Sequence, residues 1–214
     1  MPLKTCISND EYIYSPDDSA YLAGCQLVKG LVYIQPHGDK TSLENFHLNE
    51  IVRIDGDLHI ADSTSLASLD GFGELTTLNG RLFILYNEQL EDMSAFHNLS
   101  HVGDAVLINH NPMLKAITLP ALSSKVHEMQ IVGNDSAEAV VFESMKEFGS
   151  VGISGNQMLS RVAFASLERG QTLTVTANFQ LAELDFPALT GVDVVHANAN
   201  AEGADYSDLA PFMD

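Results

Sequence analysis

The sequence predicts a mainly β repeat solenoid, a β-helix-like or leucine-rich-repeat-like stack of coils with a parallel sheet along one face. Three features of the 214-residue chain predict it. First, an asparagine or its stand-in recurs three residues after an aliphatic: Ser63, Asn87, Asn111, Asn134, Asn156, Asn178 and Asn198 follow Ile60, Ile84, Ile108, Ile131, Ile153, Val175 and Val195. The intervals shrink from roughly two dozen residues to about twenty, the period of stacked units that cannot bury an apolar face alone. Second, further apolar positions keep register with the asparagine: Leu90, Leu114, Ala137 and Leu159 three residues on, then Met93, Ile117, Val140 and Val162. A bulky residue follows (Phe96, Leu119, Phe142, Phe164, Phe186), then a second leucine-type position (Leu75, Leu99, Leu122, Met145, Leu167, Leu189). Third, the residues before each asparagine alternate, as in Leu58-His59-Ile60 and Leu82-Phe83-Ile84, the period-two pattern of a half-buried strand.

One short strand per coil follows from that alternation, and stacking aligns the strands as a parallel sheet. The asparagine falls where the chain leaves the sheet. Its amide both donates and accepts, so stacked copies can satisfy buried turn backbone. The ladder Asn87, Asn111, Asn134, Asn156, Asn178 and Asn198 is therefore expected to be structural, because chemistry would need such a residue once.

The ends differ from the coils. Residues 1–30 are expected to cap the stack: Ser15-Pro16-Asp17-Asp18 combines an N-cap serine, a first-turn proline and two acids, predicting a capping helix toward Ala23. Residues 31–198 form the coils and 199–214 a second cap, with Tyr206, Leu209 and Phe212 at helical spacing and Pro211 limiting any helix. No linker rich in proline, glycine or serine interrupts this series, so a single unit is expected over 1–214.

Lys+Arg 10 against Asp+Glu 29 gives a net charge of -19. Phosphate neutralisation needs basic clusters, so nucleic acid is not an expected partner, and anionic membrane surfaces are disfavoured. No apolar run reaches the roughly 18 residues of a membrane span, so direct membrane insertion is not expected. The charge leaves a solubilising surface or a basic partner as options.

Enzyme signatures are poor, and no cofactor or metal is expected. Gly71-Phe72-Gly73 lacks the third glycine of a dinucleotide loop, and His127-Glu128 lacks a second histidine at zinc-protease spacing. Asp55 and Asp57 lack the further acids of a calcium loop. Polysaccharide-cleaving β-helices need clustered outward carboxylates, and the register places few there. The outward columns are Tyr33, His59, Phe83, Leu107, Gln130, Gly152, Thr174, Val194 and Gln35, Ala61, Leu85, Asn109, Val132, Ser154, Thr176, His196.

A patch on this face is the candidate site: Tyr33, His59, Phe83, Leu85, Leu107, Asn109, Gln130 and Val132. Apolar and aromatic side chains exposed together mark interaction surfaces. The expected partner is a protein or peptide, with a homodimer through the same face as a further option; alternatively the segment from Pro36 to Glu50 covers the patch. Two glycosylation tripeptides occur, Asn98-Leu99-Ser100 and Asn134-Asp135-Ser136; the second belongs to the ladder, where a glycan would collide with the stack.

Cys6 and Cys25 flank the proposed capping helix. As reduced residues they would be small buried hydrophobes; bridged, they would staple the cap to the first coil, and their shared position at one end favours the bridge. The segment from Cys25 to Ile34, a cysteine followed by an aliphatic and glycine before a strand, resembles the opening of receptor L-domains of insulin and epidermal growth factor receptors. The glycine-strand opening returns at Asp55-Gly56-Asp57-Leu58 and Asn79-Gly80-Arg81-Leu82. The later units look like L-domain-like GPI-anchored cell-wall proteins of fungi. The resemblance runs from Cys6 to about Asn198 and implies a right-handed solenoid used for recognition, a cysteine pair across the cap, and an extracellular or cell-surface setting. It departs from the pattern in lacking a cysteine-rich module and a GPI tail. Met1 to Asp10 lack the charged start and apolar centre of a signal peptide, which leaves a processed domain or a cytoplasmic one as the expectation. A structural cell-surface role and a glycan-active β-helix enzyme are the alternative functions.

Overall fold

The computed structural model describes residues 2–8, 10, 12–36, 38 and 41–213. Among the described residues the strands form three parallel sheets wound into a β-solenoid. The longest is nine-stranded and runs in spatial order through Tyr12–Ile13, Val32–Ile34, Leu58–Ala61, Leu82–Leu85, Ala105–Asn109, Val126–Val132, Glu147–Ser154, Arg169–Thr176 and Gly191–Asn198. Successive strands of this sheet are successive coils. A five-stranded sheet from Thr5–Ile7 to His101–Val102 lines the early coils, and a four-stranded sheet from Ala116–Thr118 to Glu183–Asp185 lines the later ones.

The alternation of the sequence sets the register. Leu58, Leu82, Val106, Met129, Val151 and Leu173 pair in one inward row, and Ile60, Ile84, Ile108, Ile131, Ile153 and Val175 in a second. All are buried, and one hydrophobic cluster runs from Ile13 to Leu209. The bulky positions stack behind the sheet: Phe72 on Phe96 at 5.4 Å between ring centroids, Phe142 on Phe164 at 5.0 Å, and Phe164 on Phe186 at 5.4 Å.

Glycine opens the early strands because the coils touch there. A Cβ on Gly56 would meet the Gly30 carbonyl oxygen at 2.1 Å, and one on Gly103 would meet the Asn79 oxygen at 2.0 Å. Only a residue without a side chain allows that approach. Three later strands instead run eight residues each through the same corner, Glu147–Ser154, Arg169–Thr176 and Gly191–Asn198.

The N-terminal capping helix does not form. Ser15 to Ala23 makes turns that end in a single 3-10 turn, Ala20–Leu22. The polar groups meant to start a helix are spent locally. The Asp18 carboxylate accepts from the Tyr14 N–H at 3.1 Å and the Ser15 hydroxyl at 2.8 Å, and the Ser19 hydroxyl donates to the Pro16 carbonyl at 2.8 Å. Gly24 then takes a positive φ of 69° and turns the chain into Leu27–Lys29, leaving no length for another turn. Cys6 and Cys25 are disulfide-bonded with Cα atoms 5.9 Å apart, and Cys25 is buried in the core. The staple joins the strand Thr5–Ile7 to the turn that precedes its neighbour Leu27–Lys29.

At the other end, Leu209 is buried and Ala210–Phe212 forms a 3-10 turn with Pro211 in its first turn. The segment imitates a further coil. The Asp205 N–H donates to the Ala182 carbonyl at 2.9 Å, and Asp208 accepts from the Phe186 N–H at 2.8 Å. These contacts satisfy backbone groups that the last full coil would otherwise leave open.

Candidate functional site

The asparagine ladder fixes the geometry of the outer face. The Oδ1 of Asn134 accepts from the Asn111 N–H at 3.1 Å, and its Nδ2 donates to the Ile108 carbonyl at 2.8 Å. Asn87, Asn111, Asn156 and Asn178 each donate to the carbonyl of the inward isoleucine of the preceding coil, Ile60, Ile84, Ile131 and Ile153, and all are fully buried. Ser63 stands in at the start, its hydroxyl donating to the Pro36 carbonyl at 3.1 Å.

The last rung is not Asn198. Asn200 accepts from the Asn178 N–H at 3.2 Å, donates to the Val175 carbonyl at 2.8 Å and reaches the Tyr206 hydroxyl at 3.2 Å. Ala197, not Val195, pairs with Val175, so Asn198 is an exposed strand residue. The outward columns therefore end in His196, beside Thr174, and Asn198, beside Thr176, rather than Val194 and His196. The other outward positions pair as expected: Tyr33, His59, Phe83, Leu107, Gln130, Gly152 and Thr174 in one column, and Ala61, Leu85, Asn109, Val132, Ser154 and Thr176 in the next.

Stacking brings the predicted aromatic residues together and adds two that the repeat does not announce, Tyr12 and Tyr14. Tyr12 packs on Tyr33 with ring centroids 4.2 Å apart, Tyr33 on His59 at 5.2 Å and His59 on Phe83 at 4.1 Å. Tyr14 stacks on Tyr12 at 5.8 Å. The coil spacing forces the contacts from Tyr12 through Phe83, since neighbouring parallel strands lie roughly 4.8 Å apart. The row continues through Leu107, with Leu85 and Val132 in the adjacent column, and all are half-buried. Asn109 and Gln130 are tied down: the Asn109 Oδ1 accepts from the Val132 N–H at 3.1 Å, and Gln130 donates to Glu128 at 2.6 Å.

The described residues of Pro36 to Glu50 turn apolar side chains into the core. Among the described residues of that segment, Leu43, Phe46 and Leu48 are buried in the core, and the Thr41 carbonyl accepts from the Ala67 N–H at 2.8 Å. Residues 41–50 form the back of their own coil, in the way that Leu66 to Leu75 forms the next.

Charge around the row is paired across coils. Arg81 lies over the Phe83 ring at 5.2 Å and binds Asp57 at 2.7 Å; Asp55 accepts from Arg53 and from Asn79, both at 2.6 Å. Asp55 and Asp57, which lack the further acids of a calcium loop, both serve as ties. Burial pushes the Asp57 carboxyl up, but hydrogen bonds from the Arg81 side chain and backbone outweigh it and hold it below the usual carboxylate range.

Burial between Tyr33 and Phe83 holds the His59 imidazole below its ordinary pKa; Asp57 opposes the shift and Arg81 reinforces it. The Tyr33 hydroxyl is pushed up by burial, then by Asp62 and the neighbouring tyrosines. The folded state thus prefers neutral His59. Well above about pH 6.5 both folded and unfolded chains carry it neutral. As pH falls through that value the unfolded chain binds a proton that the folded chain resists, so stability falls. Urea midpoints measured from pH 8 downward will drop below about pH 6.5, and His59→Phe will reduce that slope.

A backbone feature runs beside the patch. The residue before each ladder position has positive φ: Asp62 (56°), Tyr86 (55°), His110 (58°), Gly133 (66°), Gly155 (65°), Ala177 (57°) and Ala199 (53°). Gly133 and Gly155 take such a conformation without steric cost and aspartate and histidine are enriched in it, whereas Tyr86, Ala177 and Ala199 are not residue types that signal it. Tyr86 and His110 stack at 4.9 Å with 14° between ring planes, and both are exposed.

No protein-family profile matches the chain, and no curated protein matches it.

Proposed function

We propose that the protein is a non-catalytic recognition module that holds a protein or peptide partner against the outer face of its nine-stranded sheet. The row Tyr12, Tyr33, His59 and Phe83, prolonged by Leu107, carries this conclusion. Rings fixed against one another lose little conformational freedom on binding, and aromatic side chains dominate the energetic centres of interfaces. The paired columns around them carry no carboxylate from His59 to His196 or from Ala61 to Asn198. Glycoside cleavage needs two carboxylates about 5 to 10 Å apart, so recognition is favoured over cleavage. The Cys6–Cys25 disulfide is compatible with an oxidising compartment, and we place the module outside the cell or on its surface, in keeping with the L-domain resemblance.

The double variant Phe83→Ser with Leu107→Asp tests the proposal. Both side chains are outward, so folding is expected to survive while capture of partner from the native source is lost. Sedimentation of the same pair of proteins tells a second copy from a different partner. Unchanged capture together with unchanged sedimentation would remove the face from consideration.

A further inference from the structure

At the corner beside the ladder, glycine is the residue without a steric cost, and Gly133 and Gly155 supply it in two coils. Two earlier coils carry bulky rings at the same rung. Tyr86 is 53% exposed and stacks on His110, so neither ring fills the core. The Tyr86 N–H donates to the Asn109 carbonyl at 3.0 Å and the His110 N–H to the Val132 carbonyl at 2.8 Å. The pair therefore stands at the border of the face that carries Phe83 and Leu107 and extends it around the corner.

The charge here has one sign. Asp62 occupies the rung before Tyr86 and Glu88 lies just past the ladder; both are exposed, and among the described residues neither makes an ion pair. No lysine or arginine occurs in 61–66, 85–90 or 109–114. Some carboxylates elsewhere are engaged, Glu91 by Lys115, Glu183 and Asp185 by Arg161 and Glu147 by Arg169, while others such as Glu138 and Glu143 make no ion pair among the described residues. What the corner adds to its unpaired carboxylates is an exposed aromatic ring, Tyr86, over which a cation can lie.

We propose that the Tyr86–His110 corner docks an arginine- or lysine-bearing segment of a basic protein partner, the cation lying over the exposed tyrosine ring and pairing with Asp62 and Glu88. An aromatic face within roughly 6 Å of a cation attracts it through the ring quadrupole, and carboxylates beside it add to the attraction. The inference rests on recognition through the sheet face and names the chemistry of the partner.

The probe is a synthetic arginine-glycine repeat peptide titrated into the isotope-labelled chain at low and at physiological salt. Tyr86 and His110 resonances are expected to shift, and Tyr86→Asn to weaken the peptide about three- to fivefold. Asparagine tolerates positive φ, so the same variant should keep its unfolding midpoint. Unchanged affinity in Tyr86→Asn, or shifts as large on the Arg161 side as at the corner, would overturn the proposal. Should the corner fail in this way while Phe83→Ser with Leu107→Asp still abolishes partner capture, recognition through the sheet stands without it.

Discussion

Replacing Asn134 with alanine is expected to cost about 4 kcal/mol of folding stability, since each buried polar group stripped of its partner costs about 1–3 kcal/mol. The substitution leaves the Asn111 N–H without its acceptor and takes a donor from the Ile108 carbonyl, both inside a fully buried turn. Water cannot enter to replace either bond without opening the stack. Asn200→Ala should cost only about 1 kcal/mol, the ordinary net worth of a hydrogen bond, because Asn200 is the half-exposed last rung. Urea unfolding of the two variants checks the contrast; equal losses would mean that the ladder is no more than surface decoration.

Phe164→Ala is expected to cost about 3–5 kcal/mol, the range for removing a fully buried phenylalanine. Phe164 is the middle of three stacked rings and contacts Phe142 on one side and Phe186 on the other. A solenoid coil depends on its nearest neighbours, so the damage should be graded along the stack. Hydrogen exchange should quicken in Ala139–Phe142 and Glu183–Asp185 while Leu58–Ala61, several coils away, keeps its protection. Uniform loss through the chain would show that the coils unfold as one cooperative block.

Both effects were legible in the sequence because the repeat fixes register, and register decides which side chains point inward. Phe142, Phe164 and Phe186 share one phase relative to the asparagine, and they share one stack. The last coil shows the limit of that logic. Gly191-Val192-Asp193-Val194-Val195-His196-Ala197-Asn198-Ala199-Asn200 offers two valines where one inward residue is sought and two asparagines two residues apart. The small Ala197 takes the inward place and Asn200 the rung, so spacing to the bulkier Val195 misleads. Partial burial at the end of the stack explains why alanine is tolerated there.

Other features left weaker traces. The capping helix failed because Ser15, Asp18 and Ser19 close local hydrogen bonds in a turn as readily as they cap a helix. Tyr12 belongs to a two-residue strand ahead of the repeats, where no period points to its place in the aromatic row. The positive-φ column was hidden because tyrosine and alanine do not announce that backbone and aspartate and histidine do so only weakly, even though it positions the corner beside the candidate face. The outward columns could be read from alternation alone, whereas the turn of Leu43, Phe46 and Leu48 into the core could not, because a single irregular segment has no period to say so.

The proposed seating of a partner on the outer face of the nine-stranded sheet is tested most directly by photo-crosslinking in the native medium, with a benzophenone side chain placed at Phe83 and compared with the same group at Thr118 on the four-stranded sheet. Covalent capture from position 83 with none from position 118 is the predicted result; capture from 118 alone, or equal capture from both, would contradict it.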